Sequence, residues 1–410
     1  MEVFNYAYSI PYLALLLYFT ALMFLEFRQL KFEKDTKYIR WATMVGFVFF
    51  FGLRGFVYTD WVMYYPLFDK LPTIWDGGLV SVLSTDFSDS FVTDVSVGKA
   101  GLELGFIYYA VFFKSIIPDY FAFVFFNSII DVLLLNAFFK RYSRYYVLSF
   151  ILFIAFGGLI LEFNLIRNIK AFLFFLVSIK YLQERRIIPY ILLNLAGYLF
   201  HSSALIYIPL YFILDKKWPQ WLIWGIFIAG NIIFLFQIKY LEPIALAVGD
   251  MIGGRLAVQV RLYFVSDLYS QPYGIGLGYI ERTITFLVMV LSRKKLTEQN
   301  SGNVVFINSF LIYFIIYSFF SEIMVAVERL SLLFVFSYWI LYPELLGLVR
   351  KSINKLILVL FILAYSVLKL TQANCNIFSK YDNILFGIES FENRKMHIDN
   401  NMDAILGPKQ

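Results

Sequence analysis

Cysteine occurs once in the 410 residues, at Cys375, so no internal disulfide framework is possible and a thiol-ligated metal site has no cysteine cluster to build on. Histidine occurs twice, at His201 and His397, which argues against a His-rich metal centre; no cofactor is expected. Charge is scarce too: 16% of residues are charged, against roughly 25% in soluble domains. Residues 1–10 carry no basic n-region and no cleavage-like site, so the first apolar run is expected to target the chain itself. No internal repeat is evident, which weakens an inverted-repeat transporter reading. There is no low-complexity tract.

What is present is apolar. Hydrophobic residues make up 60% of the chain and aromatics 20%, with a mean hydropathy of +0.71. They fall in continuous runs of about 14 to 20 residues, near the length a helix needs to cross hydrocarbon. The runs do not alternate, so helices and not a barrel are expected, because lipid tolerates only structures that satisfy their own backbone. The fold class is therefore all-α, a polytopic integral membrane protein. The spacing predicts about twelve transmembrane helices, at 10–27, 39–53, 119–139, 145–161, 168–182, 187–200, 202–214, 219–238, 275–291, 303–320, 329–348 and 353–371.

The net charge of +6 fits basic cytoplasmic loops and does not call for nucleic acid. Just over half of the 35 lysines and arginines sit in six short loops, at 28–40, 140–144, 185–186, 216–217, 293–295 and 350–355. All six share the cytoplasmic side if both termini are outside. That choice makes the short apolar run 104–117 a helix in the outer interface and not a thirteenth span. Residues 1–371 then form a single membrane domain with two long extracytoplasmic segments, 54–118 and 239–274. An extracytoplasmic tail, 372–410, follows, its last part polar and expected to be mobile.

Setting aside the topology-setting cations leaves Arg54, Arg167, Arg255, Arg261, Arg282 and Arg329 on the outer face, against the positive-inside tendency. A guanidinium fork binds phosphate bidentately, so arginines converging there suit a lipid-linked diphosphate. Snorkelling or pairing with Glu103, Glu162, Glu281 or Glu328 is the plainer account of any one of them. The densest motif runs from Arg54 to Tyr65. Asp60 either caps the helix that follows or acts on a sugar hydroxyl, with Trp61, Tyr64 and Tyr65 as a stacking wall. Further on, Asn164 is a candidate helix cap, and Arg167 and Lys170 lie one turn apart at a helix start, beside Asn168. His201-Ser202-Ser203 separates two apolar runs short enough for a kinked outer hairpin. His201 is either a general base or hydroxyl partner, or a structural histidine.

In combination these motifs resemble a known family. Arg54 and Gly55, then Thr59-Asp60 and Tyr64/Tyr65, Glu103-Leu104-Gly105-Phe106, Ile166-Arg167-Asn168 and Phe200-His201-Ser202-Ser203 look like the pattern of EpsG-like exopolysaccharide polymerases, multi-span relatives of the Wzy-type O-antigen and capsule polymerases. The similarity covers roughly 41–215, with Glu328-Arg329 and Tyr381-Asp382 matching beyond it. Three departures stand out: Tyr58 where glycine is usual, Asn168 where glutamine is frequent, and a first outer loop, 77–100, longer than expected. The resemblance implies a glycosyltransferase of the bacterial cytoplasmic membrane, polymerising oligosaccharide repeat units carried on undecaprenyl diphosphate; that it works without a metal is our own expectation, since the arginine set and Asp60 fit the roles unaided. It implies membrane lipid, a flippase and a chain-length regulator as neighbours, and no nucleic acid. Such chemistry needs a base for the acceptor hydroxyl and cations for the departing diphosphate. Asp60, with Glu103 and His201 behind it, is our candidate for the first role. Arg54, Tyr64, Tyr65, Arg167, Asn168, Lys170, Ser203, Arg255, Arg261, Arg282 and Arg329 are candidates for substrate binding. A flippase would need a cationic cavity open to each side in turn, whereas these cations cluster on one side. A polyprenyl-phosphate-dependent transferase often pairs two acids in its first outer loop, where this chain has isolated ones. Another outer-face transferase, such as an O-antigen ligase, is the second competing reading.

Overall fold

The structure, a computed structural model, describes residues 2–76, 103–252 and 275–406. Asn5 accepts from Ala7 N at 2.8 Å and caps a 3-10 turn that leads into α1 (Ile10–Lys31). Then come α2 (Lys37–Phe47), closing in a π turn at Val48–Gly52, and α3 (Trp61–Lys70). α4 (Leu104–Ile116), α5 (Tyr120–Tyr142), α6 (Tyr146–Phe153), α7 (Leu159–Phe163), α8 (Ile166–Gln183) and α9 (Ile187–Tyr198) follow, and a 3-10 segment, Ser202–Phe212, ends this series. The rest is α10 (Gln220–Phe236), α11 (Leu241–Ile252), α12 (Leu277–Gln299), α13 (Asn303–Phe319), α14 (Met324–Leu332), α15 (Phe336–Leu348), α16 (Ser352–Ala373) and α17 (Phe391–Leu406).

Among the described residues there is no strand, only isolated bridges such as Phe4 with Asn376 and Arg54 with Asn383. Four helical stretches, Tyr6–Lys31, Tyr120–Tyr142, Tyr146–Phe163 and Ser352–Ala373, are long and apolar enough to cross a bilayer. Gln220–Phe236 with Leu241–Ala247, bent by 91°, would make a fifth. Leu104–Ile116, Ile187–Tyr198, Ser202–Phe212 and Asn303–Phe319 are apolar but shorter. The chain is thus a helical, polytopic membrane protein. Packing divides it into two units, Met1–Tyr211 with Val349–Gln410, and Phe212–Leu348.

In the first unit α1 packs on α6, and α8 lies along α9 and against α5. Helix ends are completed by side chains from neighbouring helices, because the first amides and last carbonyls of a helix have no partner of their own. Glu26 of α1 accepts from Tyr146 N and Val147 N at 3.0 and 3.1 Å, capping α6. Lys114 of α4 donates to the carbonyls of Phe68, Asp69 and Leu71 at the end of α3, where a cation also suits the helix dipole. Gly105 lets α4 begin directly against Leu199, whose carbonyl would lie 2.4 Å from any Cβ there. In the second unit Glu322 accepts from Tyr240 N, Leu241 N and Glu242 N and so holds the start of α11. Phe227 stacks there on Phe286 and Phe314, which also lie against each other.

The polar C-terminal part, expected to be mobile from its composition, is helical as far as residue 406 and packed. Phe391, Ile398, Met402 and Ile405 form one apolar stripe along α17, packed with the aromatic cluster of α3, α4 and α5. That stripe at helical spacing outweighs the polar residues between its members. Residues 407–410 lie outside the described residues. Ahead of α17 the chain pairs with the N-terminus, Asn5 N reaching Cys375 O at 2.7 Å and Ile377 N reaching Val3 O at 2.9 Å.

Candidate functional site

The site is built in the first unit, where the start of α3 meets the start of α8. Tyr58 adopts φ 64°, the left-handed region that favours glycine, and the chain bends there toward α3. Asp60 then occupies the N-cap position of α3 but makes no side-chain cap bond. Asn164 does that work from across the interface: its Oδ1 accepts from Thr59 N at 3.1 Å and Asp60 N at 3.3 Å, and its Nδ2 donates to the Thr59 hydroxyl at 3.2 Å. The cap expected of Asn164 on its own helix is not formed, since Leu165 holds that position with no side-chain bond. The cap of α3 is thus Asn164, not the Asp60 side chain.

Arg167 is the centre of the arrangement. Its Nη1 meets Glu103 Oε2 at 2.5 Å, and its Nε donates to the Tyr64 hydroxyl at 3.0 Å. The other oxygen of Glu103 accepts from Ser202 N at 2.8 Å, so one carboxylate ties together α4, α8 and the 3-10 segment. With both oxygens engaged, Glu103 is placed to hold Arg167. Burial first, then the nearby Asp60 and Glu103 charges, push the Tyr64 hydroxyl up to about 12 against the lowering effect of Arg167, so it keeps its proton. Beside this, Ser203 N donates to His201 Nδ1 at 3.1 Å. A backbone amide only donates, so Nδ1 is the acceptor and the neutral ring carries its proton on Nε2. The Ser203 hydroxyl lies 2.9 Å from His201 Nδ1 and 3.3 Å from Asn168 Oδ1, and its single proton serves one of these two acceptors. Tyr64, Glu103, Arg167, Asn168, His201 and Ser203 thus form one linked group, with the Asp60 charge close enough to act on Tyr64.

Other candidates are placed elsewhere. Arg54 is buried, its guanidinium donating to the carbonyls of Phe51 and Glu162 at 2.8 Å each and lying over the Phe163 ring. Lys170, one turn beyond Arg167, points inward and pairs with Asp131 at 2.5 Å, so the two cations do not act together. Trp61 is buried, and Tyr65 stacks on Phe391 of α17 with centroids 5.1 Å apart, so the aromatic wall lies against the chain's own tail. In the second unit Arg282 donates to the Tyr313 hydroxyl at 2.9 Å and lies over Tyr317, while Arg329 is exposed on α14. Arg255 and Arg261 lie outside the described residues.

Asp131 and Asn127 are absent from the sequence-derived set. Together with Arg54, Ser128 and Glu162 they line a cavity of about 10 Å³ beneath the site, and Oε1 of Glu162 meets no protein donor. The signal was available: Asp131 is an acid midway along an otherwise apolar run, and such residues are rare in spans unless paired.

A model of the EpsG family matches residues 37–382 of the chain. No curated protein matches it. No solved structure matches it either.

Proposed function

This chain belongs to the EpsG family, and we propose that it polymerises an exopolysaccharide by joining oligosaccharide repeat units carried on undecaprenyl diphosphate, at the extracytoplasmic face of the bacterial cytoplasmic membrane. The observation that carries this reading is the convergence of α3, α4, α8 and the Ser202 turn on Arg167. The acceptor's terminal sugar hydroxyl gives its proton to Asp60, and its oxygen attacks the anomeric carbon of the donor. The bond from that carbon to the diphosphate oxygen breaks, and lipid diphosphate departs with the electron pair. Arg167, fixed by Glu103, meets the charge that develops on the diphosphate. The Tyr64 hydroxyl and the Nε2–H of His201 are donors beside it.

The accompanying topology has about twelve crossings, with both termini and the segments 54–118 and 239–274 outside. Support comes from the hydrogen bonds that join Val3 and Asn5 to 375–377 and Gly55 N to Asp382 O at 2.9 Å, since segments in contact share a side. Purified protein given lipid-linked repeat unit tests the activity. Longer glycans on lipid are expected. Transfer to a different acceptor would make it a ligase, and movement across the bilayer without new bonds a flippase.

A further inference from the structure

Tyrosine in the left-handed region is strained, because its Cβ crowds the following carbonyl. Such a residue persists only where its surroundings over-determine it. At Tyr58 the surroundings are the far end of the chain. Tyr58 N donates to Phe378 O at 2.8 Å, and its hydroxyl donates to Asn374 Oδ1 at 2.8 Å. Two residues earlier, Phe56 O accepts from Arg394 Nε at 2.8 Å. Arg394 is itself buried, 1% exposed, and bonded to Lys380 O. Gly55 N adds a bond to Asp382 O. Each partner lies between residues 374 and 394. On the other side of the bend, Thr59 N and Asp60 N reach Asn164. The left-handed step is thus gripped from the tail on one flank and delivers Asp60 to the site on the other.

We propose that Tyr58 is a positioning residue for Asp60 and that the C-terminal segment 374–394 is part of the site because it holds Tyr58 left-handed. The role given to Asp60 rests on the polymerase reading. The grip on the bend stands on geometry alone.

The test separates conformation from side-chain loss. Tyr58→Gly and Tyr58→Ala both remove the ring, yet only glycine takes a positive φ without strain. Position 60 is read directly as a thiol, Asp60→Cys in a Cys375→Ser chain, by its labelling rate. In that chain Tyr58→Gly should leave the rate within about 2-fold of the parent, and Tyr58→Ala should shift it about 5-fold or more. In the chain with Asp60 intact, kcat/KM for polymerisation per folded protein should be about 5- to 10-fold lower for Tyr58→Ala than for Tyr58→Gly. Arg394→Ala should lose activity, and Tyr58→Gly added to it should recover a large part. Equal labelling and equal activity for Tyr58→Gly and Tyr58→Ala would overturn the proposal. Should Tyr58→Ala fail to reach the membrane, the Arg394 pair decides, and no recovery on adding Tyr58→Gly overturns it. A wild-type chain that makes no polymer sinks the polymerase reading and leaves the labelling result to stand or fall by itself.

Discussion

Replacing Arg167 by alanine removes a charge-assisted contact of a kind that contributes roughly 1.5–3 kcal/mol. Polymer per membrane-inserted protein should fall about 10- to 100-fold. Lysine should rescue poorly, because a point charge cannot bridge Glu103 and Tyr64 as the guanidinium does. Equal output from Arg167→Ala and wild type would remove Arg167 from the mechanism. Asp60→Asn keeps the shape and removes the charge. Because Asp60 makes no side-chain cap bond, this change should leave α3 intact. Single repeat units should accumulate on lipid while the protein's melting temperature stays put; polymer at the wild-type rate would end the case for Asp60. At Tyr58 the glycine usual in the family pattern takes a left-handed φ without strain, whereas tyrosine there depends on its partners at Asn374 and Phe378.

At the scale of elements, α3 depends on a cap it does not contain. Asn164→Ala leaves the amides of Thr59 and Asp60 without their acceptor, and a lost cap costs about 1 kcal/mol. Asn164→Asp keeps the acceptor, so it should be the milder change in thermal unfolding; the reverse order would show that the cap is not the reason. α17 depends on Glu389, which faces Lys380, Arg394 and His397. Burial would raise that carboxyl, but the Lys380 hydrogen bond and the three cations outweigh it and hold it below its ordinary 4.5. A lowered acid stabilises the fold above its unfolded value and loses that contribution as pH falls through its folded value. Amide exchange in α17 should therefore quicken as pH drops below 4.5, after correction for intrinsic rates. In Glu389→Gln that step should vanish, and a step that persists would assign it to another group.

For the whole molecule the decisive question is which face is outside. In a Cys375→Ser chain, a membrane-impermeant thiol reagent applied to cells should label Ser390→Cys, which is exposed ahead of α17, and should leave Ser301→Cys untouched until the cells are opened. The opposite pattern would invert the topology and move the site to the cytoplasm.

Apolar run length and the order of the motifs were enough to establish a helical membrane protein and its family, because burial in lipid acts on sequence locally. The amphipathic stripe of α17 and the lone acid Asp131 are also legible, the first as helical spacing and the second as a charge within an apolar run. The tertiary structure alone decided the partners. It turned Lys170 inward to Asp131, engaged both oxygens of Glu103, and used Asn164 to cap a helix more than a hundred residues away. It also brought 374–394 back to grip Tyr58. A charge or amide in a low-dielectric interior must find a partner, and which partner is near is set by packing between distant segments, not by spacing along the chain.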